Sequence, residues 1–424
     1  MSSNLNSVTL GLDLGTSGLR AALVKQNQLL AEFSVAMPMP ERDGQKSQQS
    51  PQKWRQAFEQ LMDQIAQANQ TPQIDRIIAD ATSSTLLIAD QEGRALSLAL
   101  MYDDKRAQAE AEQIRQTAPQ DSAAQGANSS LAKVLWLIKN TPKLKLSEVR
   151  IQHQIDWLNQ QLIGQPCATD ENNLLKLGYD SLQQTWPNWV KTICPVALPT
   201  AVSPGSWLGQ VSHELQTRWN FKPHCQVYAG TTDSIAAFLA SGAQRVGDAV
   251  SALGSTLAIK LLSDQPIFSA KYGIYSHKLG NQWLVGGASN TGGAVLLHYF
   301  TLEQLVSLIP QLDLTHPTLL PCYPLIRPGE RFPIADPNLA PIIPETDDPK
   351  RKLQALIEGL VDVEKTAYQK LAELGAPKVK RLFAVGGGNR NQAWSELRKM
   401  HLSAKITKPI SQSAAYGVTR LITG

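Results

Sequence analysis

The residues of this sequence that could do chemistry cluster at short glycine turns. Leu12-Asp13-Leu14-Gly15-Thr16-Ser17 closes an apolar run with a carboxylate, a glycine and two hydroxyls. Glycine lets the backbone approach a ligand closely, and successive N–H groups in a tight turn form an anion-binding hollow. Thr16 and Ser17 add hydroxyl donors, and Asp13 is suited to hold a hydrated Mg²⁺ beside a bound phosphate. Taken alone, the stretch also reads as an ordinary hairpin turn. Its layout recurs at Ser251-Ala252-Leu253-Gly254-Ser255-Thr256, with Ala252 where the first copy has Asp13. Two such turns, Gly15–Ser17 and Gly254–Thr256, could grip one polyphosphate from both sides.

Asp233 follows Gly230-Thr231-Thr232 and opens an apolar helical run. As a helix N-cap it would accept backbone N–H groups and suit the helix dipole. As a general base it would accept the proton of a substrate hydroxyl, and the two roles are compatible. Asp103-Asp104-Lys105-Arg106 is a charge run, usually a solvated face. The alternative is a clamp on a polyhydroxylated ligand, in which a carboxylate accepts sugar hydroxyls and arginine donates. Gly386-Gly387-Gly388-Asn389-Arg390-Asn391 connects a strand-like run to a helical one, a usual place for a nucleotide, with a glycine cap or loose loop as the plainer reading. It lacks the later third glycine and the following acid of the dinucleotide fingerprint, and no GxxxxGK[ST] occurs, which excludes a P-loop NTPase. The 7 histidines show no HExxH or other ligand spacing.

These residues need elements to hold them. The segments on either side of Gly15–Ser17, and again of Gly254–Thr256, read as paired strands. Trp54, Phe58, Leu61 and Ile65 share one helical face and predict a helix over 52–68. Strands are expected at 74–81 and 85–89, a mostly helical region at 105–219, and a strand at 225–229 before the helix that Asp233 opens. A proline-rich loop over 310–349 leads to a helix at 350–374, a strand at 381–385 and a helix at 392–402. Because each glycine hairpin begins a β-rich block, the chain reads as two related halves, 1–241 and 242–424.

Composition bounds the function. At about 100–200 residues per domain, 424 residues make two halves plausible and leave ample core without disulfides. A net charge of +4 without a basic arm argues against nucleic acid. Cys167, Cys194, Cys225 and Cys322 stand apart with no CxxC pair, which speaks against zinc and suits a reducing compartment. The polar start leaves no room for a signal or transit peptide, and no run of about 18 apolar residues could span a membrane. A cytoplasmic location is the expectation.

Taken in order, these motifs resemble the FGGY carbohydrate kinases, members of the actin-like ATPase superfamily: Asp-x-Gly-Thr-Ser, Asp-x-Arg, Gly-x-x-Asp before a helix, a second Gly-Ser-Thr hairpin and a late Gly-Gly-Gly loop. The resemblance covers nearly the whole chain. It implies an α/β fold of two ribonuclease-H-like domains with the active site in the cleft between them, an N-terminal domain for the sugar and a C-terminal one for the nucleotide. By the same resemblance, Asp13, Gly15, Thr16 and Ser17 match the first phosphate loop, with Asp13 also a metal ligand, and Gly254, Ser255 and Thr256 the second. Gly386, Gly387, Gly388 and Asn391 match the adenosine site, with Trp394 in the helix beyond. Asp233 looks like the catalytic base, and Asp104 and Arg106 look like sugar ligands, with Tyr102 where the family often has Trp. Ser83 and Ser84, in Thr82-Ser83-Ser84, match a segment that approaches the sugar, and Gly286–Gly293 resembles a signature near the cleft.

The second hairpin departs from the more common Gly-Thr-Ser, keeping its hydroxyls, and the chain is shorter than most of the family. Its compactness, Asp80-Ala81-Thr82-Ser83-Ser84-Thr85 and Tyr102-Asp103-Asp104-Lys105-Arg106-Ala107 are similar to the cyanobacterial and plastid xylulose-kinase-like branch, associated with D-ribulose. The implied activity is transfer of the γ-phosphoryl group of ATP, with Mg²⁺, to a terminal hydroxyl of a ketopentose. D-Xylulose, glycerol or another polyol is the alternative acceptor. The rival from another class is a sugar-independent actin-like ATPase, against which Asp104, Arg106 and Asp233 argue.

Overall fold

Strict alternation at the start of the chain sends Leu10, Leu12 and Leu14 to one side of a strand and Thr9, Gly11 and Asp13 to the other. In the computed structural model, which describes residues 7–423, this strand is the centre of the first of two units. The segment 1–6, where the sequence reading found no leader, lies outside the described residues. Unit one comprises Met1–Ala240 with Ser413–Gly424, and unit two comprises Ser241–Gln412.

The main sheet of unit one runs in the order Trp207–Gln210, Gln226–Thr232, Ile74–Ala81, Val8–Leu14, Gly18–Lys25, Gln28–Ala36. Val8–Leu14 pairs in parallel with Ile74–Ala81, which pairs in parallel with Gln226–Thr232, and the outer strands run antiparallel. Helices cover both faces, as buried parallel strands require. On one face lies Pro51–Gln67, started by Ser50, whose hydroxyl accepts from the Gln52 N–H at 3.3 Å, and by proline at its first position. Its Trp54, Phe58, Leu61 and Ile65 join Leu10, Leu12 and Leu14 in the core, each worth about 1.5–3 kcal/mol when fully buried.

The other face carries Asp233–Ala240 and Ala414–Thr423. A Cβ on Gly11 would stand 1.8 Å from the Ala415 carbonyl oxygen, so only glycine lets this last helix lie against the central strand. The sequence reading assigned 242–424 to one half; the chain instead returns its final helix to the first unit, an association made by long-range packing.

A second sheet in unit one, ordered Glu41–Asp43, Lys46–Gln49, Ala99–Leu100, Leu86–Ala89, Arg150–His153, has its own core with Leu131 and Val134 of the helix Ser130–Asn140. The stretch expected to be mostly helical is therefore mixed, with short helices alternating with strands and loops.

Unit two repeats the scheme, with strands ordered Tyr275–Leu279, Gln282–Ala288, Leu257–Ser263, Asp248–Leu253, Arg381–Val385, Lys405–Thr407. Asp248–Leu253 pairs antiparallel with Leu257–Ser263 and in parallel with Arg381–Val385, as the first strand of unit one pairs with its neighbours. Pro349–Glu373 and Gln392–His401 pack on this sheet. Among the described residues no helix is long and apolar enough to cross a membrane.

Candidate active site

The parallel register of unit one assembles acids that lie far apart in sequence. Asp13 sits level with Asp80 on the next strand, and Asp80 sits level with Thr231 on the strand after that. That third strand runs on through Gly230-Thr231-Thr232, beyond the expected 225–229, and delivers Asp233 directly to the start of its helix. The register shifts between Tyr228 and Thr231, so the strand turns as it ends.

Asp13 is buried, and the Arg20 guanidinium opposite it on the hairpin lies 3.1 Å from its carboxylate. Burial raises the Asp13 carboxyl above the ordinary range, with Arg20 pulling the other way. Asp80 is 0% exposed, and among the described residues no N–H or hydroxyl donates to either of its carboxyl oxygens. Burial first, then the charges of Asp13 and Asp233, push Asp80 well above the carboxylate range, with Asp13 close enough for the two to share a proton. Asp233 is half-buried, and its carboxylate accepts from the Ser234 N–H at 2.6 Å. The sequence reading gave Asp80 no role. Its signal was there: one acid inside the apolar run Ile77-Ile78-Ala79-Asp80-Ala81.

Carboxylates short of positive charge suit a hard divalent cation, and Asp13 with Asp80 fits Mg²⁺ in that respect. Among the described residues no three His, Cys, Asp or Glu side chains are grouped to hold a metal by themselves. Such a pair matches a cation that arrives with phosphate and keeps part of its water. The four cysteines are free, and burial pushes the Cys167, Cys225 and Cys322 thiols up to about 12, which leaves them poor ligands.

The glycine turn beyond Asp13 is closed by the Gly15 N–H donating to the Gly18 carbonyl at 3.0 Å, leaving Ser17 exposed and Thr16 half-buried at its tip. In unit two the Gly254–Thr256 tip is likewise open to solvent at Ser255 and Thr256. The Gly286–Gly293 stretch folds back on it: the Gly293 N–H donates to Gly254 at 2.8 Å and the Leu257 N–H to Thr291 at 2.7 Å. A Cβ on Gly388 would stand 2.7 Å from the Trp394 ring and 2.9 Å from the Leu253 carbonyl oxygen, so glycine seats that loop against the hairpin strand. Gly386 and Gly387 are exposed, while Asn391 caps the following helix, accepting from the Trp394 N–H at 3.1 Å. Beneath them Arg398 and Glu364 form a buried pair at 2.7 Å, and Glu364 also accepts from Ser251 at 2.5 Å. That network ties the helix after the glycine loop to the strand before the hairpin. Val385 and Ala252 occupy the register positions that Asp80 and Asp13 hold in unit one, so the repeat keeps its turn and loses its acids.

The Asp103–Arg106 run is no simple solvated face. Asp104 is 0% exposed, and its oxygens accept from the Ser47 N–H at 2.7 Å, the Arg106 N–H at 3.1 Å and the Arg106 guanidinium at 2.8 Å. Its carboxylate holds Arg106, which also donates to Gln48 at 2.9 Å and lies 4.9 Å above the Trp136 ring. Tyr102, two residues before Asp104, is exposed; burial of part of its ring, then Asp103, with a smaller contribution from Asp233, raises its phenol. Ser83 is half-buried, whereas Ser84 is fully buried and its hydroxyl donates to the Asn128 carbonyl at 2.8 Å. Thr82 shares hydrogen bonds with Thr85 and Gln154, each at 2.6 Å. Gln154 and Trp136, which the sequence reading passed over, thus hold Thr82 and Arg106, which it singled out.

Comparison with known proteins bears on the family and the fold. The N-terminal domain model of the FGGY family of carbohydrate kinases matches residues 8–240, and the C-terminal domain model matches residues 249–421. The xylulose kinase of Bacillus subtilis (strain 168) is 23% identical over 94% of this chain and 84% of its own length. The gluconokinase of the same organism is 20% identical over 97% of this chain and 86% of its own. A solved xyloylose kinase from Brucella ovis matches with TM-score 0.87 at 20% identity, covering 98% of this chain and 89% of that one. Plasmodium falciparum glycerol kinase with ADP matches with TM-score 0.85 at 16% identity, covering 98% and 89%. These structures bear on the fold, an α/β arrangement in two domains. With both of its domains matched along almost the entire chain, the protein belongs to the FGGY family of carbohydrate kinases.

Proposed function

We propose that this kinase transfers the γ-phosphoryl group of ATP to the terminal hydroxyl of a ketopentose, with Asp233 as general base. The observation that carries the reading is that Asp13 and Asp80 stand level on adjoining parallel strands of unit one, while the third strand ends at Thr232 and hands Asp233 to the start of its helix. Phosphoryl transfer asks mainly for positioning and charge stabilisation, and the half-buried Asp233 carboxylate at the start of its helix can take the hydroxyl proton. Asp233 accepts that proton as the hydroxyl oxygen bonds to the γ-phosphorus and the bond to the ADP oxygen breaks. When bound, Mg²⁺ would neutralise phosphate charge, and Asp13 with Asp80 would hold it. The N–H groups and hydroxyls of Gly15, Thr16 and Ser17, and of Gly254, Ser255 and Thr256, bind phosphate oxygens. Gly386, Gly387 and Gly388 line the adenosine, with Asn391 holding the helix that follows.

Arg106, fixed by Asp104, and Ser83 are the sugar-facing donors, with Tyr102 beside them. Asp104 and Ser84 act from beneath, since both are buried with their oxygens engaged. D-Ribulose is the acceptor to which the Asp80–Thr85 and Tyr102–Ala107 segments point; D-xylulose is the second reading, supported by relatives named xylulose kinase. A panel of pentuloses, gluconate, glycerol and other polyols with ATP, scored by coupled ADP production, tests it. D-Ribulose or D-xylulose should give the highest kcat/KM. ADP release indifferent to every acceptor would favour the actin-like ATPase instead.

A further inference from the structure

Lys133 stands apart from the chemistry described so far. Its side chain is 0% exposed, and among the described residues its ammonium forms no ion pair within salt-bridge distance. It donates to the Met101 carbonyl at 2.6 Å, to the Ser84 carbonyl at 2.8 Å and to the Ser84 hydroxyl at 3.4 Å, so all three N–H bonds are used. Burying an ammonium against neutral acceptors is expensive, and a methionine of similar volume would avoid that cost. What the ammonium does is join two loops.

Ser84 ends the turn that follows Asp80, and its φ of +67° swings its carbonyl inward. Met101 begins the other loop: its carbonyl also accepts from the Asp104 N–H at 3.0 Å, and its own N–H donates to Ser47 at 2.9 Å. Lys133 therefore clamps the base of the Thr82–Thr85 turn to the base of the Tyr102–Arg106 loop. One helical turn further along Ser130–Asn140, Trp136 underlies the Arg106 guanidinium. The helix thus presents two supports, three residues apart, to the same loop.

We propose that Lys133 is a positioning residue for the acceptor sugar, setting the distance between Ser83 and Arg106, so that sugar affinity depends on its bonds to Ser84 and Met101. This rests on the reading of Tyr102–Arg106 as the sugar-facing loop. The test measures kcat and separate KM values for D-ribulose, D-xylulose and ATP, with thermal midpoints, for wild type, Lys133→Met, Lys133→Gln and Arg106→Ala. Lys133→Met should raise the pentulose KM about tenfold or more, the order expected for lost charge-assisted hydrogen bonds, with ATP KM within about twofold of wild type. Lys133→Gln, whose amide can still donate to carbonyls, should recover part of that loss even if Lys133→Met fails to fold. Arg106→Ala should raise pentulose KM in the same direction. A folded Lys133→Met with wild-type pentulose KM, while Arg106→Ala is impaired, overturns the role of Lys133 and spares the loop reading. Wild-type pentulose KM in Arg106→Ala overturns the loop reading and the inference with it. Equal losses in sugar and ATP KM for both Lys133 variants also overturn it, since a general packing defect would do the same.

Discussion

Asp80 lies level with Asp13 on the adjoining parallel strand, a fully buried carboxyl group beside another, and among the described residues no N–H or hydroxyl donor reaches either of its oxygens. Few arrangements are less favourable for folding alone, because like charges in low dielectric repel and unpaired buried polar groups lose their hydration. Strain of this kind is commonly kept where a ligand relieves it.

Asp80→Asn should therefore stabilise the free enzyme at neutral pH, by about 1–3 kcal/mol, the order of an unmade buried hydrogen bond. The same variant should need more Mg²⁺ for half-maximal activity and lose kcat. Thermal unfolding without ligand, together with a Mg²⁺ titration of activity, checks both. A variant less stable than wild type with an unaltered Mg²⁺ requirement would count against the role given to Asp80.

Asp104 gives a contrasting case. It forms a nearly dry pair with Arg106, and removing one partner of such a pair typically costs about 3–5 kcal/mol. Asp104→Ala should lower the thermal midpoint as well as sugar affinity, whereas a carboxylate serving only as a sugar ligand would lose affinity with its stability intact. Differential scanning calorimetry beside sugar KM separates the two.

Lys133 makes stability depend on pH in a definite direction. Burial above all, with Lys176 and Arg106 adding to it and Asp104 and Asp103 opposing it, lowers its ammonium from 10.5 to about 7. Below about 7 both folded and unfolded chains hold the proton, and the folded state bears the full burial cost. Between there and 10.5 the unfolded chain binds more protons, so this group makes folding stability rise with pH. The advantage of Lys133→Met over wild type in unfolding free energy should consequently shrink from pH 6 to pH 9, by up to about 1.4 kcal/mol per pH unit. A difference that stays flat, or grows with pH, would contradict a buried ammonium.

Where glycine, hydroxyl and alternation coincide locally, the sequence was readable. Both hairpins and the helices at Pro51–Gln67, Pro349–Glu373 and Gln392–His401 follow from residues within a few positions of each other. What escaped was set by register and long-range packing. Asp80 gains meaning only when Ile74–Ala81 pairs with Val8–Leu14, and Lys133 only when its helix reaches Ser84 and Met101. The final helix joins unit one because Gly11 leaves room for it, which no local pattern announces. Ser84 and Asp104 were singled out by type, yet burial turns both inward, leaving Ser83 and Arg106 as their more accessible neighbours.

The most direct test concerns Asp233. Purified wild type and Asp233→Asn, with saturating Mg²⁺-ATP and D-ribulose or D-xylulose, would be followed by chemical quench and quantitation of the pentulose phosphate formed. The expected result is a loss of about 10²–10⁴ in the rate of phosphoryl transfer, with nucleotide affinity near wild type in an equilibrium binding measurement. Pentulose phosphate formed by Asp233→Asn at the wild-type rate would contradict the account.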